Sequence, residues 1–259
     1  MAAAPTGAEG VPGAAATGAG TGAATGQAPP APGSFAVPSA LLLTLLADAR
    51  LPSGGHTQSG GLEPALRAGL RAGEVADYAR ARLRTVTAVE AGTAVVARAV
   101  AAAGEDLAAV DAAWAARTPS PALRANARRL GRGQLRVART LWPAAPGRPD
   151  PLGQPAARAW PRPVVLGVLA HQAGLDAWDL GRLVGYDDVQ TVVAALLKLE
   201  PADPLETTGM VVDLLPEIDA LAARVSHLRH PVEIPAGGAP LMERWAQTHA
   251  ATTERLFSA

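Results

Sequence analysis

The feature that most constrains the fold is a long run from Glu74 to Ala103 whose larger apolar side chains recur mostly at steps of three to five residues. Those side chains are Val75, Tyr78, Leu83, Val86, Val89 and Val96. This spacing is typical of an amphipathic helix. The run is long enough for one curved helix, or for two helices that meet near Gly92. No segment shows the sustained two-residue alternation of a half-buried strand, so the sequence predicts an all-α fold.

Other segments repeat this pattern between proline and glycine breaks, which predicts eight to ten helices in total. Ser39, Ser120 and Asp176 are candidate N-caps, and Pro121 stands at a first helical position. PLETTGMVVDLL and PEIDALAARVSHL are interpreted as two helices, the second beginning at Pro216. The last helix is predicted from Leu241 to about Phe257.

The chain divides by composition into a tail and a helical domain. Residues 1–36 are rich in Ala, Gly, Pro and Thr and have almost no large apolar side chains. Such a segment cannot bury enough apolar surface to fold, so we predict a disordered tail. Residues 37–259 are predicted to form one all-helical domain. Within it, a proline-rich loop at residues 143–163 joins two helical halves.

Composition removes several classes of function. The 23 basic and 23 acidic residues cancel, so charge gives no support for a nucleic acid or an anionic membrane as a partner. The absence of cysteine excludes disulfides, thiolate metal sites and cysteine nucleophiles. No basic residue precedes Arg50, and we find no signal peptide and no apolar run of the roughly 20 residues that span a bilayer. We expect a soluble, cytoplasmic protein that binds no membrane.

The stretch ARLPSGGHTQSGGLE, from Ala49 to Glu63, interrupts the Ala- and Leu-rich chain. It lacks the lysine and the preceding strand of a phosphate-binding loop. Asp48, His56 and Ser59 are residue types of a catalytic triad, but closeness in sequence rarely supplies triad geometry. A hydrolase centred on Ser59 remains one alternative.

A structural interpretation of the same stretch explains most of its residues. Pro52 and Gly54 would make a tight turn with positive φ, Ser59 would cap the next helix, and Glu63 would lie in its first turn. The polar residues His56, Thr57 and Gln58 are then left at an exposed apex. Exposed residues on a rigid turn suit recognition of a partner.

Two further groups of polar residues are ambiguous. His227 and His230 in HLRH have helical spacing and could share a metal ion, although no nearby carboxylate except Glu233 would complete the site.

Arginines at strict four-residue steps would form a stripe along one helix, with two more beside it. These are Arg124, Arg128, Arg132 and Arg136, beside Arg129 and Arg139. The stripe fits docking onto an acidic partner as well as a solvated or internally paired face.

The C-terminal stretch THAATTERLFSA places two large apolar residues, Leu256 and Phe257, at the end of the chain. Chain ends are usually polar and frayed. These two side chains therefore either fold back into the core or dock into a partner, and the sequence leaves both possibilities open.

Taken together, the turn and the C-terminal stretch resemble the urease accessory protein UreF family. The family's N-terminal signature is approximately P-x-G-x-aromatic-x-x-S-x-G-L-E, and the matching residues here are Pro52, Gly54, Ser59, Gly61, Leu62 and Glu63. Its C-terminal signature is matched by His249, Arg255, Leu256 and Phe257, and LGRGQLRVA resembles its basic mid-chain helix. The resemblance runs from about Leu41 to Ala259.

The chain departs from the family pattern at several positions. His56 and Gln58 replace aromatic residues, and Ala250 replaces a glutamate after the C-terminal histidine. The family's Pro-Leu-Gly-Gln stretch keeps only Pro204 and Leu205. These departures put in doubt any transfer of aromatic contacts at the turn.

The resemblance implies an all-α, non-enzymatic scaffold that dimerises. It would bridge a UreD/UreH-type accessory protein and a UreG-type GTPase, and the assembly would insert nickel into apo-urease. It implies no catalytic residue, no metal ligand and no tightly bound cofactor, since nickel is handled by the complex. Arg255 or the arginine stripe could act as an arginine finger toward the GTPase. The rival hypothesis is a stand-alone helical nickel-binding protein that uses His227 and His230.

The expected partner-binding residues come from the turn, the arginine helix and the tail. They are Pro52, Gly54, His56, Gln58, Ser59, Glu63, Arg128, Arg132, His249, Arg255, Leu256 and Phe257.

Overall fold

The computed structural model describes residues 37–143, 150–153 and 159–258. The predicted disordered tail, residues 1–36, lies outside the described residues, as do residues 144–149 and 154–158 of the predicted loop. Described residues from Val37 onward belong to one compact unit.

Ten α-helical segments occur in the described residues, and no strand is found among them, which confirms the all-α prediction. They are α1 (Ser39–Leu46), α2 (Leu62–Arg67), α3 (Val75–Arg84), α4 (Val86–Ala103), α5 (Ala108–Ala116), α6 (Pro121–Leu141), α7 (Arg162–Ala173), α8 (Ala177–Leu199), α9 (Pro204–Val225) and α10 (Pro240–Ala250). Single 3-10 turns occur at Gly55–Thr57, Ala72–Glu74 and Pro231–Glu233.

Helix α4 is the centre of the core and packs most extensively on α7, with α8 on another side. A glycine makes the α4–α7 approach possible. A Cβ atom on Gly167 of α7 would lie 2.2 Å from the carbonyl oxygen of Ala94 in α4. Because real Cβ atoms do not approach that closely, the helix spacing here depends on the missing side chain.

Helices α8 and α9 pack along each other by the same means. A Cβ atom on Gly181 of α8 would lie 2.9 Å from the Cα atom of Ala222 in α9, and one on Gly185 would lie 3.1 Å from the Ile218 side chain. Apolar side chains around these contacts are fully buried, among them Leu180, Leu214 and Leu221. On this scaffold α6 packs against α7 and α2 against α8, and α10 contacts both α6 and α2.

One apolar window lies in the segment that contains α3 and α4. Within residues 72–103 an 18-residue window has a mean hydropathy of 1.4, which is long and apolar enough for a membrane span by composition alone. In the structure, 67% of that window is buried inside the protein. Its hydropathy is thus accounted for by the position of α4 in the core.

Several predicted helix boundaries are wrong. The run from Glu74 breaks at Thr85, where φ is −122° and ψ is −96°, and not near Gly92. Helix α9 continues through Pro216, because that proline is on the exposed side, where water can bond to the carbonyl that loses its partner. Helix α10 ends at Ala250, so the residues up to Phe257 form an irregular tail.

Two of the four predicted caps, Ser120 and Asp176, are confirmed. The Ser120 side chain accepts a hydrogen bond from the Leu123 amide, and Asp176 accepts from the Asp179 amide. Ser39 is wrong as a cap, since it is the first residue of α1 and the helix has no side-chain cap.

Gly167→Ala tests the close approach of α4 and α7. The added Cβ would meet backbone atoms that cannot move away by a rotamer change, so we expect the free energy of unfolding in urea to fall by about 2–3 kcal/mol. Gly209→Ala in α9 is the matched control, because nothing lies within 4 Å of its added Cβ. The control should gain about 0.5–1 kcal/mol. Equal effects at the two positions would contradict this packing.

Candidate partner-binding site

The glycine-rich turn is built against α6. Gly54 has φ +86°, which confirms the predicted tight turn, and a Cβ atom on it would lie 3.5 Å from Leu130. A Cβ atom on Gly133 of α6 would come within 2.7 Å of the carbonyl oxygen of Ser53. The turn therefore rests on the backbone of α6, at a place where the helix has no side chain.

Only part of the predicted polar apex is exposed. His56 is exposed, as expected, and Thr57 is half-buried. Gln58 is only 8% exposed, and its Oε1 accepts a hydrogen bond of 2.7 Å from the Asn126 amide group of α6. The expectation of an exposed Gln58 is wrong, because this polar side chain finds a partner on the neighbouring helix.

The predicted cap at Ser59 is also wrong. Helix α2 begins at Leu62, its N-cap is Gly61 with φ +77°, and no side chain caps it. Ser59 is fully buried, and its carbonyl accepts the Leu62 amide at 3.0 Å. A buried Ser59 and an exposed His56 do not present an accessible nucleophile and base.

Glu63 joins the turn to the C-terminal tail. It lies in the first turn of α2, as predicted, but it is only 1% exposed. Its two carboxylate oxygens accept the backbone amides of Leu256 and Phe257, each at 2.9 Å. Arg67 donates to the same carboxylate at 2.8 Å and to the Glu254 carbonyl at 2.6 Å. This buried carboxylate thus has charged and backbone partners that offset its desolvation.

Further hydrogen bonds fasten the tail on both sides of Glu63. The buried His249 side chain, at the end of α10, has Nε2 at 3.2 Å from the Phe257 carbonyl and at 3.7 Å from the Glu63 carboxylate. Because a carbonyl only accepts, that contact requires the proton on Nε2. The Ser258 amide donates to the Thr57 carbonyl at 2.9 Å. The two terminal signatures are therefore one continuous structure.

The tail turns its two apolar side chains in opposite directions. Phe257 is 4% exposed, belongs to the core, and has the Lys198 ammonium 5.3 Å from its ring centre. Leu256 is 63% exposed. The sequence left open whether these side chains pack in the core or face a partner. Phe257 packs in the core, and Leu256 faces solvent.

The arginine stripe is partly internal. Arg128 donates to the buried Asp111 carboxylate at 2.9 Å and to the Ala159 carbonyl at 2.6 Å, with its guanidinium above the Trp114 ring. Arg124 donates to the carbonyls of Thr118 and Pro119. Arg132 is exposed. Of the two stripe residues expected to bind partners, Arg128 is engaged within the fold and Arg132 faces solvent.

A cavity of about 140 Å³ lies behind the junction of turn and tail. It is lined by side chains from both regions, including Gln58 and His249, and by Glu90 of α4. Burial raises the pKa of Glu90, while a hydrogen bond from the Trp114 indole at 2.9 Å and the charge of Arg162 oppose the shift. The charges of Asp188 and Arg82 act in opposite directions on it.

An ion pair beside the cavity supports the start of α2. Arg82 is buried against Asp188, which also accepts the Thr87 hydroxyl at 2.7 Å. Tyr78 from the same helix donates to the Gly60 carbonyl at 2.8 Å. Helix α3 thereby fixes the two glycines that precede Glu63.

The histidines of HLRH belong to no cluster of metal ligands in the part of the chain that the structure describes. His227 and His230 are both exposed, and Glu233 accepts the backbone amides of Arg229 and His230 with one oxygen. Across the described residues no cluster of three or more His, Cys, Asp or Glu side chains is placed to hold a metal ion. These two histidines offer two ligands at most.

Three residues that hold the site were not predicted from the sequence. Asn126 bonds to Gln58, Arg67 bonds to Glu63 and the tail, and Gly133 admits the turn. The glycines of LGRGQL were a usable signal, because glycine inside a helix often marks a close approach of another backbone. The roles of Asn126 and Arg67 depend on tertiary placement that spacing does not reveal.

The fold and the site define a class of protein: an all-helical protein whose glycine-rich turn and C-terminal tail are joined at a buried carboxylate. The UreF family model matches residues 71–215, which is more than half of the 259 residues. The chain therefore belongs to the UreF family of urease accessory proteins.

Proteins named urease accessory protein UreF are similar over nearly their whole length. The one from Mycobacterium sp. (strain JLS) is 34% identical over 222 residues, which cover 83% of this chain and 97% of that protein. The one from Mycolicibacterium vanbaalenii is 35% identical over 224 residues, with the same coverage. The one from Mycobacterium tuberculosis (strain H37Ra) is 33% identical over 227 residues, covering 84% and 97%.

Glu63→Gln tests the role of the buried carboxylate. The glutamine side chain has one oxygen, so it can accept a hydrogen bond from only one of the two backbone N–H groups. It also has no charge to pair with Arg67. We therefore expect the free energy of unfolding to fall by about 2–3 kcal/mol. Hydrogen exchange at the amides of Leu256 and Phe257 should become faster. Glu206→Gln, at an exposed first-turn position of α9, is the control and should change stability by less than about 0.5 kcal/mol. Unchanged protection at Phe257 in the Glu63 variant would contradict the assignment.

Glu90→Gln tests the pKa of the cavity carboxyl. Burial raises the pKa of Glu90 above its ordinary value of 4.5, so at pH values between the unfolded and the folded pKa the folded protein holds a proton that the unfolded chain has released. Stability from this group is present below the unfolded pKa and is lost as pH rises through the folded pKa. The variant cannot ionise and keeps an oxygen for Trp114, so it should be more stable than wild type at pH 7 and lose that advantage in acid. Glu105→Gln on the exposed surface is the control. If the stability of Glu90→Gln follows pH in parallel with that of the wild type, the pKa of Glu90 is not raised.

Proposed function

We propose that this protein is a non-enzymatic scaffold for urease maturation. It bridges a UreD/UreH-type accessory protein and a UreG-type GTPase, and the assembly inserts nickel into apo-urease. Membership of the UreF family supports the general role. The observation that carries the specific proposal is the joining of turn and tail at Glu63, which holds an exposed Arg255 and Leu256 in a fixed position.

The tail is the proposed contact for the UreD/UreH-type protein. Leu256 supplies an exposed apolar anchor, and Arg255 beside it has a guanidinium held only by long contacts of 3.5 Å to the carbonyls of His249 and Ser258. Such a guanidinium is free to form bidentate bonds to a partner's carboxylate. Apolar and arginine side chains together are typical of interface hot spots.

The turn is the proposed contact for the GTPase. Pro52 and His56 are its exposed residues, and Gly54 gives it its shape. Where other members of the family present aromatic residues, this chain presents an imidazole. We propose that the members of the expected set that are buried or bonded within the fold act by positioning these surfaces. The buried ones are Gln58, Ser59, Glu63, His249 and Phe257, and Arg128 is partly buried and bonded to Asp111.

Regulation of GTP hydrolysis is part of the proposal. Arg132 and Arg255 are exposed arginines near the junction, and a guanidinium supplied in trans can stabilise the charge of a phosphoryl-transfer transition state. Unchanged GTP hydrolysis by the partner in the presence of this protein would remove this part alone.

We further propose a cytoplasmic homodimer that binds no cofactor tightly, with nickel carried by the whole assembly. The exposed apolar side chains of α1 and α9 suit a contact between copies, since Leu41, Leu45, Val212 and Leu215 are all exposed. A groove of about 750 Å³ lies between these helices and α8.

Leu256→Ala tests the proposed contact of the tail. Removal of an exposed anchor should leave helicity and the melting temperature unchanged, but should weaken capture of the UreD/UreH-type protein by roughly tenfold or more, a loss typical of a hot spot. Leu205→Ala is the matched control, because Leu205 is 79% exposed and lies on α9, outside the junction of turn and tail.

The point substitution separates binding from folding better than a truncation does. Removal of the last five residues would also remove Phe257 from the core and leave the Glu63 carboxylate without its backbone partners. Full binding by Leu256→Ala, measured by surface plasmon resonance, would show that Leu256 is not an anchor for this partner.

A further inference from the structure

The arginines of α6 divide into two sets because the four-residue spacing precesses around the helix. Each four-residue step advances about 40° beyond a full turn. Arg124 and Arg128 therefore point toward the body of the protein, where carbonyls and Asp111 receive them. Arg139 likewise donates to Asp150.

The second set points away from these partners. By helical geometry Arg129, Arg132 and Arg136 fall within an arc of about 60° and span roughly 10 Å of the helix axis. All three are exposed. The Arg129 guanidinium donates to the amide oxygen of Asn126 at 2.8 Å, and none of the three forms an ion pair with a carboxylate in the described ranges.

The tail adds a fourth guanidinium to this set. Arg255 contacts the Ser258 carbonyl, the Ser258 amide donates to Thr57, and the adjacent Gln58 is bonded to Asn126 of α6, so the tail lies against this end of the helix. Burial lowers the pKa of Arg129, and the positive charges of Arg255 and Arg132 act in the same direction. The chain as a whole has no net charge, so the cluster is a local accumulation. A cluster of like charges without counter-charges raises the energy of the free protein and is relieved when an anionic partner binds.

We propose that Arg129, Arg132, Arg136 and Arg255 form a docking surface for an acidic helix of a partner protein, and we call it the arginine surface. Carboxylates at positions i, i+3 and i+7 of a partner helix have the same spacing as the three arginines of α6. Leu256, next to Arg255, gives the surface an exposed apolar residue at one end. This combination fits an amphipathic acidic helix better than a polyphosphate, which has no use for the apolar residue.

This inference rests on the proposed function, since the helix would belong to a member of the maturation assembly. It goes beyond that proposal by naming the chemistry of the partner and by including Arg129 and Arg136. It also predicts a strong dependence on ionic strength, because contacts between exposed charges are screened by salt.

The test uses the full chain and a synthetic helical peptide as probe. The peptide carries glutamates at i, i+3 and i+7 with one leucine in the following turn, and fluorescence anisotropy measures its dissociation constant. We expect the triple variant Arg129→Gln, Arg132→Gln, Arg136→Gln to bind at least about tenfold more weakly at low salt. The control variant Arg71→Gln, Arg84→Gln, Arg224→Gln changes the net charge equally at other exposed arginines and should bind like wild type.

Three outcomes would overturn the inference. Equal binding by the triple variant would show that the arginine surface is not the docking site. Equal binding of a scrambled peptide of the same composition would show that charge alone is recognised. Displacement of the peptide by inorganic triphosphate, but not by sodium chloride at the same ionic strength, would identify a phosphate site.

The failure of this inference is distinguishable from the failure of the proposed function. Capture of the UreD/UreH-type and UreG-type proteins by the triple variant at wild-type strength would leave the proposed function intact and remove the arginine surface from it. Peptide binding without capture of either protein by the wild type would support the surface and contradict the proposed function.

Discussion

The carboxylate of Glu63 is the interaction on which the rest of the site depends. One buried side chain near the start of the domain accepts the amides of Leu256 and Phe257 at its end, and Arg67 balances the charge. A buried carboxylate without such partners would be strongly destabilising, so the turn, α2 and the tail must assemble together. This coupling explains how two segments far apart in sequence form one surface.

The same arrangement separates residues that position from residues that can contact a partner. Phe257, His249 and Gln58 are buried and bonded within the fold, whereas Leu256 and His56 beside them face solvent. Helix α6 shows this division along its length, where the precession of its arginines directs some inward and leaves others outside. A rigid inner layer reduces the entropy that the outer residues lose on binding.

The sequence predicted the helical class, the turn at Gly54, the caps at Ser120 and Asp176, and the first-turn position of Glu63, because each depends on local geometry. It could not predict that Glu63 binds the tail or that Gln58 is buried by Asn126, since those contacts join distant segments. The helix start predicted at Pro216 does not occur, and the break at Thr85 was not predicted, for a related reason. Exposure of a proline and the angle between two packed helices are set by tertiary structure.

The most direct test of the central claim is to lock the tail onto the turn and measure partner binding. The chain has no cysteine, and the backbones of Thr57 and Ser258 are joined by a hydrogen bond of 2.9 Å, so Thr57→Cys with Ser258→Cys introduces a single possible disulfide. Affinity for the UreD/UreH-type protein is then compared between oxidised and reduced forms. If the docked tail is the binding form, the oxidised protein binds as tightly as the reduced one. Loss of binding on oxidation, with recovery on reduction, would show that the tail must leave Glu63 to reach its partner.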